Sequence, residues 1–399
     1  MIKKIYITLF LLFTVIVITN ARNINIAISD STQISILTSY PYDAEMYTVY
    51  GHTALRVNDM KNDRDIVFNY GLFDFNAPNF AYRFAKGETD YMVGAIPFEY
   101  YLEEYEKRGK PVVEQVINLT QSEKEKIWQA LVINCMPENR EYRYNYLFDN
   151  CATRIRDIIE KYVEGNITYT PTGKEQLFRD LLHEHNSLLP WSAFGIDLIL
   201  GSGLDRTATD REKMFLPIYL MRAYSGATIE NGNETRKLVS SESIIINEHN
   251  SSSSHIIQYP LIAGCVLLLF TICVLYACIR SKLTIFYKIY TFLLFFVAGI
   301  AGCVIFFLMF FSEHPATNPN WNIIWLNPLQ LIFSLFFFFK FSSKVIYYYH
   351  FINFAALSLF LLAWFLIPQQ LNVAFIPYIL SLLACSGANI WLYMKIAGK

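Results

Sequence analysis

The pattern of apolar and polar positions changes at Leu261. Before it, apolar residues come in short runs broken by polar ones. After it come five long apolar stretches, near Leu261–Ile279, Ile289–Phe311, Ile323–Phe339, Val345–Ile367 and Val373–Met394. Most are long enough to cross a hydrocarbon core of roughly 30 Å as helices. The third is short and carries Asn327, Pro328 and Gln330, so it is the weakest of the five. At the other end, Lys3 and Lys4 precede an apolar run from Ile5 to Ile18, and Thr19-Asn20-Ala21 offers small residues for cleavage. Residues 1–21 therefore read as a secretory signal or an uncleaved anchor, and either exports the chain after it. A polar run, Asn250–His255, separates the halves. The expected organisation is a leader (1–21), an exported domain (22–249), a linker (250–260) and an all-α five-helix transmembrane domain (261–399).

Within the exported domain, Gln33–Ser39, Thr53–Val57, Ile66–Tyr70, Tyr91–Ile96 and Val112–Leu119 have strand character, the second and third joined by a polar turn. Thr120 with Glu123, Thr172 with Glu175 and Thr209 with Glu212 form capping-box patterns that predict helix starts. Cys151–Val163 places Ile155, Ile158, Ile159 and Tyr162 on one helical face, which predicts packing onto the sheet. The domain reads as α+β.

Charge fixes the orientation. Arg280, Lys282 and Lys288 lie between the first two apolar stretches, Lys340 and Lys344 between the third and fourth, and Lys395 and Lys399 at the end. The connections Ser312–Asn322 and Pro368–Asn372 contain no Lys or Arg. Basic loops face the cytoplasm, which leaves residues 22–260 outside, in agreement with the export signal. Acidic residues outnumber basic ones in that part, which argues against nucleic acid as a partner. Only Cys135 and Cys151 of the seven cysteines lie there. They are able to pair in an oxidising compartment, although pairing would silence Cys151. No CxxC or HExxH spacing accompanies His52, His183, His185, His249 and His255, so neither a metal nor a cofactor is expected; His183 and His185 read as solvated surface.

Two segments carry candidate chemistry: Tyr50-Gly51-His52-Thr53-Ala54-Leu55-Arg56-Val57 and Asp149-Asn150-Cys151-Ala152-Thr153-Arg154. The first reads as a strand with a histidine at its start, the second as a helix with a cysteine in its first turn. A helix N-terminus stabilises a thiolate, and a neighbouring histidine takes its proton. The bland alternative is a packing cysteine and a histidine that caps a strand. A third polar group would orient the imidazole. Asn69 is the first choice and Asp74 the second, with a hydrogen bond to its own turn as the alternative for Asn69.

The order histidine strand, polar strand, cysteine helix resembles the circularly permuted papain-like (NlpC-like) proteins, which include lecithin:retinol acyltransferase. More closely, Tyr50–Val57, Phe68-Asn69-Tyr70-Gly71 and Tyr144-Asn145-Tyr146-Leu147-Phe148-Asp149-Asn150-Cys151-Ala152-Thr153-Arg154 resemble the N-terminal periplasmic domain of the Lnb family of Bacteroidetes. That family also carries a C-terminal five-helix membrane domain, and residues 314–328 resemble its first external loop. The resemblance implies a lipoprotein N-acyltransferase of the inner membrane. Its acyl donor would be a phospholipid. Its acceptor would be the α-amine of a diacylated lipoprotein's N-terminal cysteine. Cys151 would be the nucleophile and His52 its base.

Such substrates give further candidates. Arg56 or Arg154 presents a forked donor to a lipid phosphate, or pairs with a nearby carboxylate. His314, Asn320 and Asn322 either meet substrate at the membrane edge or serve as caps and turns beside Pro315, Pro319 and Pro328. A membrane-bound cysteine hydrolase on the same fold and a non-enzymatic envelope-assembly protein are the alternative functions.

Overall fold

The computed structural model describes residues 27–42, 48–74, 76–186, 189–248, 257–281, 284–336 and 343–397. The leader, most of the linker, and His249 and His255 lie outside the described residues.

Alternation in the N-terminal half produces an antiparallel sheet. Strands β1 (Gln33–Ser39), β2 (His52–Asp59), β3 (Arg64–Leu72), β4 (Asp90–Pro97), β5 (Val112–Ile117) and β6 (Glu141–Arg143) join a late strand, Val239–Ile246, in a seven-stranded sheet. The late strand lies at one edge beside β5, followed by β1, β2, β3, β4 and β6. Asn166–Thr168, Thr228–Asn231 and Glu234–Lys237 form a separate three-stranded sheet. Successive side chains point to opposite faces of a strand, and here both faces are covered. Leu55, Val57, Phe68 and Tyr70 pack with Ile155 and Ile159 of helix Cys151–Tyr162. Ala54 and Val67 pack with Tyr101 and Tyr105 of helix Phe98–Arg108.

Of the three capping boxes, those at Thr120 and Thr209 form, the second opening only one helical turn. The one expected at Thr172 does not. Its hydroxyl donates to Asp210 Oδ1 at 2.6 Å and accepts from Lys213 Nζ at 2.6 Å, and no helix begins until Phe178. A hydroxyl committed to another segment is not available to cap its own.

Among the described residues, the C-terminal half has four helices long and apolar enough to cross a membrane: Tyr259–Ser281, Thr284–Phe310, Ser343–Leu362 and Ile376–Ala397. The third expected span, Ile323–Phe339, differs. Among the described residues it consists of a 3-10 turn, Trp321–Ile324, and a short helix, Leu329–Leu335. The interrupting polar residues explain the break. Asn320 caps the 3-10 turn through the Asn322 N–H, and Gln330 Nε2 donates to the Trp325 carbonyl at 2.8 Å. The segment nests against the preceding span where that span is smallest. A Cβ on Gly302 would stand 2.5 Å from Asn327, and one on Gly299 2.2 Å from Leu331.

Both lysine-free connections touch the N-terminal domain. Asn320 Nδ2 donates to the Leu198 carbonyl at 2.9 Å, and Asn372 Nδ2 to Asp197 Oδ2 at 2.9 Å. The two halves are thus fastened on the side assigned to the exterior by charge.

Candidate active site

Asn150 decides where Cys151 sits. Its Oδ1 accepts from the N–H groups of Ala152 and Thr153 at 2.9 and 3.0 Å, and Thr153 Oγ1 accepts from the Asn150 N–H at 2.8 Å. Its Nδ2 donates to the carbonyls of Tyr146 and Phe215, both at 2.9 Å. An asparagine fits this post because one end only accepts and the other only donates. The cap starts the helix at Cys151. The Arg154 N–H bonds the Asn150 carbonyl, so the first amide, that of Cys151, has no partner among the described residues.

The facing strands approach closely. The pairing of β3 with β4 shifts register between Tyr70 and Leu72, and Gly71 between them has φ +96°. A Cβ on Gly71 would lie 3.9 Å from Cys151 Cβ. His52 opens β2 after Gly51, whose φ is +75° and whose Cβ would meet the Ser39 carbonyl oxygen at 2.5 Å. Glycine is required there on both counts.

His52 Nε2 lies 3.2 Å from Asn69 Oδ1, and Asn69 is buried. Cys151 and His52 stand close enough for each to shift the other's titration. Burial pushes the Cys151 thiol up, but the charge and hydrogen bond of His52, with the N–H groups of Thr53 and Ala152, outweigh it and bring the thiol below its usual value. Burial pushes His52 down, and the Cys151 thiolate and Asn69 outweigh that and raise it. Each group favours the other's charged form, the condition for a thiolate–imidazolium pair.

Cys135 and Cys151 are both free thiols. Cys135 packs on the core, and burial pushes its thiol up.

The remaining candidates fall elsewhere. Asp74, the second choice beside Asn69, is exposed and caps its own turn by accepting from the Asn76 N–H at 2.8 Å. Arg56 is bidentate with Asp65 at 2.6 and 2.7 Å, reaches Glu114 at 3.0 Å and lies over the Phe98 ring. Arg154 is bidentate with Asp149 at 2.5 and 2.7 Å and stacks on Tyr142. Of the two readings for these arginines, the carboxylate pairing is the one observed. Asn320 and Asn322 are buried: Asn322 Nδ2 donates to the Asp197 carbonyl at 3.0 Å, and its Oδ1 accepts from Trp325 Nε1 at 2.9 Å. Their amides fasten the external loop to helix Pro190–Ile199. His314 Nε2 lies 2.5 Å from the Phe84 carbonyl oxygen. The histidines expected to be solvated are partly buried: His183 Nε2 is 2.8 Å from Asp197 Oδ1, and the His185 ring lies 5.7 Å from that of Tyr50. Among the described residues no cluster of three His, Cys, Asp or Glu is placed to hold a metal.

Asn150 and Thr153 were visible in sequence only as polar neighbours of the cysteine. An N-cap residue with a hydroxyl three positions on was the usable signal.

Two family models match the chain: the Lnb N-terminal periplasmic domain over residues 22–184 and the Lnb transmembrane domain over residues 251–396. No curated protein and no solved structure matches. The first match takes in Cys151, His52 and Asn69, the second takes in the apolar helices, and the chain belongs to the Lnb family.

Proposed function

We propose that this chain is a lipoprotein N-acyltransferase of the permuted papain-like class. It would be held in the inner membrane with its catalytic domain in the periplasm. The observation that carries the reading is the Cys151–His52 pair, with Asn69 on the far nitrogen of His52, in a domain fastened directly to membrane helices. Substrates anchored in a bilayer require a nucleophile at the bilayer surface.

Asn69 Oδ1 only accepts, so Nε2 of His52 carries hydrogen and Nδ1 is left to take the thiol proton. The thiolate attacks an ester carbonyl of a phospholipid. The new C–S bond forms, the C–O bond breaks, and His52 returns the proton to the departing glycerol oxygen. The Cys151 N–H is the donor available to the oxyanion, a contribution of about 3 kcal/mol for one such group. The α-amine of the diacylglyceryl-cysteine then attacks the thioester. The C–N bond forms, the C–S bond breaks, and His52 takes the proton shed by the amine. A thioester is more reactive toward an amine than the oxygen ester it replaces, so one hard step becomes two easier ones. In this reading Arg56, Arg154, Asn320 and Asn322 hold the structure around the site, since the hydrogen bonds they make run within the fold.

The test is mass spectrometry of a reporter lipoprotein's N-terminal peptide from a bacterium lacking its own N-acylation. An added acyl chain with the parent and none with Cys151→Ala is the expected result. A diacylated N-terminus in both, at equal protein level, overturns acyl transfer. Free fatty acid released by the parent would then assign a hydrolase.

A further inference from the structure

The short helix Phe80–Lys86 is rich in apolar residues and buries none of them. Tyr82 is 57% exposed and Phe84 49%. Tyr82 and Phe84 stay outside the core clusters, and rings that exposed call for an apolar surrounding.

Its position says which. The Glu313 N–H donates to the Lys86 carbonyl at 2.7 Å, and a Cβ on Gly87 would stand 2.8 Å from the His314 nitrogen. The Tyr82 ring lies 6.3 Å from that of Phe307, near the outer end of the span Thr284–Phe310. The helix therefore sits where a span leaves the membrane, the level at which aromatic rings are favoured.

From there a strip of rings runs to the nucleophile. Phe84 and Phe80 are 5.9 Å apart, Phe80 and Phe73 6.1 Å, Phe73 and Tyr91 4.9 Å, and Tyr91 and Tyr144 4.1 Å. Phe73 closely follows Gly71, the residue against Cys151. Phe73, Tyr144 and Cys151 border one core cluster, and Phe73, Phe80 and Tyr144 keep part of their surface uncovered. The strip is uncharged: burial raises Tyr91 to about 12, and burial with the Cys151 thiolate also raises Tyr144. Ion pairs, Arg83–Asp90 and Arg143–Glu313, hold the charges beside it.

We propose that this strip seats the fatty acyl chain of a membrane lipid, which leaves the bilayer over Tyr82 and Phe84, crosses Phe80 and Phe73, and ends at Cys151 beside Tyr91 and Tyr144. The run of rings adjoins a span at one end and, at the other, the core cluster that Cys151 borders, and its rings offer a methylene chain contact without charge. The proposal deepens the acyl-transfer reading and rests on it for the chemistry at Cys151. Occupancy of the strip is a separate matter and is tested separately.

The full-length Cys151→Ala chain is placed in phosphatidylethanolamine nanodiscs containing a lipid with a diazirine in its acyl chain. Photolysis is expected to label peptides carrying Phe73, Tyr91 or Tyr144 as well as helix Phe80–Lys86. Label confined to the spans, or to Tyr82 and Phe84 alone, overturns the proposal. Label on the strip together with failure of the parent to form any acyl-Cys151 leaves the seat standing and removes the acyl-transfer reading. In the otherwise unaltered chain, Phe80→Ser with Phe84→Ser is expected to lower the preference for p-nitrophenyl palmitate over p-nitrophenyl acetate by about tenfold, the loss of apolar contact expected for such rings. An unchanged preference, even with lower overall rates, also overturns it.

Discussion

His52 Nε2 and Asn69 Oδ1 are 3.2 Å apart, and in the proposed mechanism this contact leaves Nδ1 for the thiol. Without it the imidazole is free to turn and to hold its proton on the wrong side. Asn69→Ala is expected to lower kcat for acyl transfer by about tenfold to hundredfold, part of the roughly 10²–10⁴ supplied by a positioned base. Steady-state kinetics beside Cys151→Ala, which should show no transfer, checks this. A loss confined to KM would place Asn69 on substrate instead.

The pH dependence arises from two opposite shifts. Cys151 is lowered, so the thiolate fraction rises with pH through a midpoint below that of an ordinary thiol. His52 is raised, so the imidazolium persists above the usual imidazole range and is lost as pH climbs further. Between the two lies the window of the ion pair. Alkylation of Cys151 by iodoacetamide, read by mass spectrometry, should show the low midpoint. In His52→Ala the largest lowering influences are gone while burial still pushes up, so the midpoint should move to or above the ordinary thiol value. Equal midpoints in the two chains would break the pair.

Asn150 makes the cap and also satisfies two carbonyls from other segments. Asn150→Ala removes both, at an expected cost of about 2–4 kcal/mol when loss of a cap and of donors to buried carbonyls combine. Thermal unfolding measures it. Asn150→Asp keeps the acceptor, loses the donor and places a negative charge beside the thiolate. Cys151 alkylation should then require higher pH than in the parent.

Much of this was legible in sequence, for local reasons. Alternation located the five main strands, and a histidine after glycine and a cysteine after asparagine marked both ends of the site. That Asn69 stands beside His52 is readable because it lies on the strand after the His52 hairpin. The errors came from partners that sequence does not display. For Arg56 the sequence leaves open a lipid phosphate or a carboxylate, and Asp65 and Glu114 are the partners found beside it; Thr172 reads as a cap, but its hydroxyl goes to Asp210. Asn320 and Asn322 read either as substrate contacts at a membrane edge or as caps and turns, and Asn320 does cap a turn. They are buried because helix Pro190–Ile199, distant in sequence, presents its carbonyls to them. The weakness of the third span was marked by its own Asn, Pro and Gln, although how it nests on Gly299 and Gly302 was not.

One part of the join between the halves is built on a buried cation. Arg179 is fully buried and binds Asp197 at 3.0 Å and Asp205 at 2.7 and 3.0 Å, with the Gly201 carbonyl at 2.8 Å. Asp197 in turn takes the Asn372 amide on its carboxylate and the Asn322 amide on its carbonyl. The guanidinium thus holds the segment onto which both external connections fasten. Arg179→Met leaves two buried carboxylates without their cation, which costs about 3–5 kcal/mol. Because the carboxylates answer to the connections, the effect should be regional. Hydrogen exchange should quicken in residues 190–205, 312–328 and 368–375 and stay slow in strands β1, β2 and β3. Transfer from bilayer phospholipid should fall while alkylation of Cys151 holds, since the nucleophile keeps its cap and its histidine and loses only its fixed height above the membrane. Exchange that quickens equally throughout the sheet would show Arg179 to be a general stabiliser, with no particular hold on the join.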